Sequence, residues 1–167
     1  MADTPPTYLH VSNHLNESGK FNPKEFYDEE LIYRRYSINK VQPKDEYFAE
    51  VKIDDKGVSV NRETYRKKPD DVMWGNEHEP VDETIEACDY TKKNGMVIYS
   101  NYCVIQKTPP PPNYNVDLKK TWTTCNVSHC DIMFNPPTTN PNKKEKRALR
   151  IYLASLFKED VEDVKCA

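Results

Sequence analysis

The sequence predicts an α+β domain: a mostly antiparallel sheet, a C-terminal amphipathic helix and long Pro-rich connectors. Three observations predict it. Short β-forming runs succeed one another without regular helical crossovers, which disfavours a doubly wound parallel sheet. Leu149, Tyr152, Leu153, Leu156 and Phe157 recur at helical spacing near the C-terminus. Thirteen prolines against four glycines mark much irregular connection. A chain of 167 residues has room for one sizeable core, so we expect an N-terminal arm over residues 1–25 and a single domain over 26–167.

The elements are predicted in chain order. Residues 1–25 are polar and contain Pro5-Pro6, which reads as an arm ordered only if something holds it. Asn22 and Pro23 have the chemistry of an N-cap and a first helical position for a short helical turn over 23–27. Residues 31–36, Leu-Ile-Tyr-Arg-Arg-Tyr, read as a strand with Arg34 and Arg35 on opposite faces. After a polar loop over 37–46, residues 47–53 alternate as a half-buried strand. Gly57 then suits a turn into a returning strand over 58–62, and the two strands read as a hairpin.

Further on, residues 67–80 form a charged connector holding Trp74 and Gly75, and a short helix runs from about Asp82 to Tyr90. Residues 96–106 are the most apolar run and are expected to be a central strand with a bulge or bend at Ser100-Asn101. Prolines 109–112 read as a stiff connector or a docking segment in polyproline conformation. Residues 122–134 read as another strand. Asn140 and Pro141 are placed to start the last helix.

Composition excludes several functions. A net charge of −3 supplies no basic footprint for nucleic acid. No run is long and apolar enough for a transmembrane helix, and residues 1–14 lack the pattern of a signal peptide. Five cysteines without an export signal lead us to expect reduced thiols in a cytoplasm. Apolar residues are 37% of the chain and the mean hydropathy is −0.90. With eleven tyrosines, this polarity fits a subunit that completes its burial against a partner.

The candidate site residues are few. An arginine at the edge of a core must find acceptors, and Glu30, Asp45 or Glu46 could supply a carboxylate. Arg34 and Arg35 are therefore candidates for an anion or partner site, with a structural ion pair as the alternative. Ser59, Asn61, Arg62 and His129 join them as hydrogen-bonding or proton-transfer groups. Lys143, Lys144 and Arg147 place positive charge at the positive end of the last helix dipole, a local conflict that suits an acidic partner or a phosphate, or simply a solvated face. Cys125, His129 and Cys130 suggest zinc, yet on a strand Cys125 and His129 would lie about 13 Å apart and Cys130 would face away. We expect no metal and no cofactor. No nucleophile elbow, HExxH, Walker A or GxGxxG motif occurs, so no catalytic residue is assigned.

Leu31-Ile32-Tyr33-Arg34-Arg35, then Gly57-Val58-Ser59-Val60-Asn61-Arg62, then Val127-Ser128-His129-Cys130-Asp131-Ile132 before a Pro/Asn-rich loop resemble a diffuse family of small bacterial proteins of unknown function. That family shares a Tyr-Arg-Arg strand, a Ser-Val-Asn-Arg strand and a late His-Ala/Cys strand. The match covers about residues 30–135, and the family's Ser-rich middle segment is replaced here by Asp45-Glu46-Tyr47-Phe48. The resemblance implies a bacterial origin and a component of a multi-gene system, such as an antiviral defence system.

The functional expectation is a non-enzymatic cytoplasmic accessory subunit that binds a protein partner through the Arg34/Arg35 strand and the last helix. The alternative is a small enzyme or sensor that holds a phosphorylated small-molecule ligand with Arg34 or Arg35 and His129. Nucleic-acid binding through residues 143–150 is the weakest reading, and no membrane role is expected.

Overall fold

A computed structural model describes residues 4–36, 48, 51, 53, 57–76, 87–111, 114–135 and 142–166. The fold is α+β, as the patterning predicts. Five strands form an antiparallel sheet in the order β5-β1-β2-β7-β6: β1 Leu31–Tyr36, β2 Val58–Arg62, β5 Met96–Asn101, β6 Asn115–Lys120 and β7 His129–Asn135. A separate pair, β3 Trp74–Asn76 and β4 Tyr90–Lys92, forms a second small sheet. The helices are α1 Tyr102–Lys107 and α2 Lys143–Leu156.

One face of the large sheet is the core. Ile32, Val58, Val60, Ile98 and Ile132 meet Leu149, Leu153 and Leu156 of α2 there. Burying each such side chain contributes about 1.5–3 kcal/mol. The predicted helical stripe is the buried one, ending at Phe157 just past the helix. The cap differs from expectation. Asn142 is the N-cap: its side-chain oxygen accepts from the Glu145 N–H at 2.9 Å and its amide donates back to the Glu145 carboxylate at 3.0 Å, a reciprocal arrangement that closes the first turn. Asn140 and Pro141 lie outside the described residues.

Other expectations are corrected. Residues 96–106 do change structure at the predicted place, but into a helix. The Asn101 side chain accepts from the Val104 N–H at 2.7 Å and caps α1. The N–H groups of Tyr102 and Cys103 donate to the carbonyls of Glu30 and Asp28, so tertiary bonds override the β preference of Cys-Val-Ile. β5 is an edge strand; β2 is central.

The expected hairpin of 47–53 with 58–62 does not form, because β2 pairs with β1 and β7. Most of 47–53 lies outside the described residues, and Phe48, Val51 and Ile53 are not in a strand. The helix expected to end near Tyr90 does not form over 87–90, where β4 begins at Tyr90; residues 82–86 lie outside the described residues. No helical turn forms over 23–27.

The strand expected over 122–134 begins only at His129. Before it, Thr123 and Asn126 exchange backbone hydrogen bonds in a tight turn. That turn holds the N-terminal segment: the Val11 N–H donates to the Thr124 carbonyl and the Val127 N–H to that of Leu9, and Leu9, His10 and Val11 are buried.

The expectation of reduced thiols is also overturned. Disulfides join Cys88 to Cys125 and Cys103 to Cys166, each with Cα atoms 5.8 Å apart, inside the usual span. The first ties the β3–β4 side to the 123–128 turn; the second ties the C-terminal segment to α1. Cys130 is the remaining thiol, buried, with its pKa pushed up to about 12 chiefly by that burial. Ellman's reagent, without reductant, is therefore expected to find no reactive thiol in the folded protein and one per chain after unfolding. Five thiols on unfolding would contradict the pairing.

Candidate functional site

The cysteines in disulfides cannot serve as thiolate ligands, and among the described residues no group of three His, Cys, Asp or Glu side chains is placed to hold a metal ion. Among those residues no helix is long and apolar enough to cross a membrane.

The arginines divide by location. Arg62, a candidate for surface binding, is 1% exposed and faces Glu30 at 0%. Its Nε and Nη2 donate to the two Glu30 carboxylate oxygens at 2.8 and 2.9 Å. Nη1 donates to the Lys24 carbonyl at 2.6 Å and Nη2 also reaches that of Glu25 at 3.2 Å. The guanidinium lies over Phe26, 4.2 Å from the ring centroid, and near Tyr65 at 5.3 Å. This bidentate, desolvated pair belongs to the fold, not to a binding surface. Glu30 is indeed a partner for an arginine, but for Arg62 rather than for Arg34 or Arg35. Asp45 and Glu46 lie outside the described residues.

Arg66, which sequence reasoning did not single out, is the second buried arginine. It donates to the Ser128 hydroxyl at 3.0 Å and to the carbonyls of Trp74 (3.0 Å) and Asp71. Burial brings its pKa down to about 10, with Asp71 opposing the shift. The Asp71 carboxylate in turn accepts from the Tyr8 hydroxyl and the Lys68 N–H. Asn61 belongs to this interior network. Its side-chain oxygen is 2.9 Å from the Asn126 amide nitrogen and 2.9 Å from the Ser128 hydroxyl.

Arg34, Arg35, Ser59 and His129 are brought near one another. Tyr33, Asn61 and His129 are cross-strand neighbours and share the sheet face turned away from α2; Arg35 lies two residues beyond Tyr33 on that face. Arg34 leaves β1 on the core side, lies over Phe48 at 5.0 Å and donates from Nη1 to the Ser59 carbonyl at 2.6 Å. His129 approaches the same residue from the other side, with Nε2 3.2 Å from the Ser59 hydroxyl. Its Nδ1 is 2.8 Å from the Thr121 hydroxyl and 3.1 Å from the Thr121 carbonyl. Donation from Nδ1 to that carbonyl leaves Nε2 to accept from Ser59. Arg35 donates to the Asn94 carbonyl at 3.3 Å. Ser59 is exposed, and Arg34, Arg35 and His129 are half-buried.

Lys143, Lys144 and Arg147 are separate from this group, exposed on the first turns of α2. An open groove of about 750 Å³ beside β5, bordered by Asp70, Met73, Lys92 and Val97 among others, includes none of the candidate residues. Thr121 and Glu30 are the participants that sequence reasoning did not assign to these roles. Glu30 flanks the Arg-containing strand, but only the tertiary fold aims it at Arg62.

Compared with family models, curated proteins and solved structures, the chain matches none.

Replacing Arg62 by Met strands the Glu30 carboxylate in the interior. Denaturant unfolding should lose about 3–5 kcal/mol. Arg35→Gln, at a half-buried site with one long hydrogen bond, should stay within about 0.5 kcal/mol of the parent. Equal effects would contradict this division of the arginines.

Proposed function

We propose that this chain is a non-enzymatic subunit that binds a protein partner through the outward face of α2. The observation that carries the reading is a second stripe on that helix, opposite the buried one. Lys143, Lys144, Arg147, Ile151 and Ser155 project from it, all exposed, with Ile151 at 47%. An exposed β-branched apolar side chain in line with three cations suits a partner that offers an apolar pocket rimmed by carboxylates. The basic first turn, unfavourable to the isolated helix, then has a counterpart in the complex. The two disulfides support an oxidising compartment in place of the cytoplasm expected from the sequence. A place in a bacterial multi-gene system, antiviral defence included, rests on the strand motifs alone.

A second reading, an enzyme or sensor of a phosphorylated ligand, is favoured by one observation: Arg34 and His129 both bond to Ser59.

Capture from an extract of the native host tests the first reading. The tagged wild type should retain a stoichiometric partner that raises its melting temperature. Ile151→Asp combined with Arg147→Glu should lose that partner while its own melting temperature stays unchanged. A variant that still holds the partner, or a wild type that captures nothing, would contradict the assignment.

A further inference from the structure

We propose that the gap where β1 and β2 part is a binding site for a tetrahedral oxyanion, a phosphoryl or sulfate group. Its donors are the Arg34 guanidinium and the main-chain N–H groups of Arg35 and Ser59, with Arg35 and the Ser59 hydroxyl at its rim. This inference rests on the second reading above and specifies its site.

The main-chain donors follow from ladder parity. The Glu63 N–H donates to the Leu31 carbonyl at 3.0 Å. That makes Ile32 and Arg62 a non-hydrogen-bonded pair, and Tyr33 and Asn61 the hydrogen-bonded pair that follows. The next hydrogen-bonded pair in this register would be Arg35 with Ser59, but the β1–β2 ladder ends at Tyr33–Asn61. Neither residue bonds through its other edge. The Tyr99 N–H points out to the Lys158 carbonyl, so Tyr33–Tyr99 and Arg35–Val97 are non-hydrogen-bonded pairs with β5. The Arg62 N–H donates to the Ser128 carbonyl, which makes Asn61–His129 and Ser59–Asp131 non-hydrogen-bonded pairs with β7. The N–H groups of Arg35 and Ser59 are thus directed into the gap, away from β5 and β7.

Arg34 enters the gap from the core side. Its Nη1 takes the Ser59 carbonyl that the ladder would have given to the Arg35 N–H. Its Nε is buried and meets no acceptor among the described residues. Burial, and then the charge of Arg35, bring its pKa down to about 10, so it is charged at neutral pH. No described carboxylate pairs with it. A half-buried guanidinium beside a second arginine, with two main-chain N–H groups aimed alongside, is an arrangement that an anion completes.

The donors arrive from the sheet plane, from the core side and, through the Arg35 side chain, from the exposed side. That disposition suits oxygens set tetrahedrally better than a planar carboxylate. His129 Nε2, 3.2 Å away, accepts from the Ser59 hydroxyl and holds it at the rim. Asp131, across from Ser59 on β7, disfavours approach over that strand, and Lys119, across from Asp131 on β6, offsets it.

The test uses the intact, 15N-labelled, disulfide-bonded protein, titrated with inorganic phosphate, inorganic sulfate and O-phosphoserine at ionic strength matched with chloride. Saturable shifts of the Arg35 and Ser59 amide signals are expected with phosphate and sulfate and not with chloride. A tighter response to O-phosphoserine identifies an ester as the ligand; an equal one identifies the simple anion. Arg34→Gln should weaken binding roughly tenfold or more, the scale of one charged hydrogen bond. Should Arg34→Gln fail to fold, Arg35→Gln and the wild-type shift map carry the test. Saturable shifts elsewhere that survive both variants would overturn this site and leave an anion ligand in place. No response beyond that of chloride would overturn the site and the ligand reading together.

Discussion

The Arg62–Glu30 pair is the constraint on which the rest of the structure depends. Five parts of the chain converge on it. Glu30 precedes β1, and its backbone carbonyl receives the first N–H of α1. Its carboxylate also accepts from the Thr64 N–H at 3.3 Å, beyond the end of β2. Arg62 ends β2 and draws in the carbonyls of residues 24 and 25, and its flat face takes Phe26 and Tyr65. Desolvating two charges costs several kcal/mol per ion, and only excellent geometry with all remaining donors and acceptors met offsets that. Here the pairing is bidentate, and the Lys24 and Glu25 carbonyls take further guanidinium N–H groups. The pair gives little net stability over an apolar replacement of both partners, but removing one partner alone is severe.

Its position also explains the shape of the sheet. β1 and β2 are clamped at the Ile32–Arg62 end, with the Glu63 N–H on the Leu31 carbonyl. Two residues further the ladder has stopped, and Arg34 has inserted between the strands. β5 and β7 hold the outer sides of β1 and β2 throughout, so the parting is local. Gly57, at the open end of β2, sustains this with a φ of +81° and an approach to β7 so close that a Cβ would meet Met133 Sδ and the Ile132 carbonyl. The four arginines of this region therefore have two fates. Arg62 and Arg66 are enclosed, Arg62 on Glu30 and the Lys24 and Glu25 carbonyls and Arg66 on Ser128 and the Asp71 and Trp74 carbonyls, while Arg34 and Arg35 stand where the ladder gives out.

What was legible in the sequence is what local pattern carries. The Leu31–Tyr36 and Val58–Arg62 strands, the buried stripe of α2 and the break at Asn101 all follow from side-chain periodicity or from one capping residue. What was not legible depends on contacts distant in sequence. β6 alternates Val116, Leu118 and Lys120 with Asn115, Asp117 and Lys119, too short and too charged a run to stand out beside the prolines before it. Residues 102–107 have strand-forming side chains and become helical because Glu30 and Asp28 supply their first acceptors. Cys88 and Cys125 are 37 residues apart and Cys103 and Cys166 are 63 apart; no spacing rule joins them. At the candidate site, alternation correctly set Arg34 and Arg35 on opposite faces. It could not reveal that Glu30 belongs to Arg62, or that Ser59 is where Arg34 and His129 meet.

Native-state amide hydrogen exchange along β1 and β2 tests the central claim most directly: two strands clamped at one end by a buried ion pair and parted at the other. The N–H groups of Tyr33 and Asn61, inside the ladder, should be protected nearly to the level of global unfolding, and those of Arg35 and Ser59 should exchange orders of magnitude faster. Equal protection of all four would mean that the ladder continues to Arg35–Ser59, closing the gap on which the account depends.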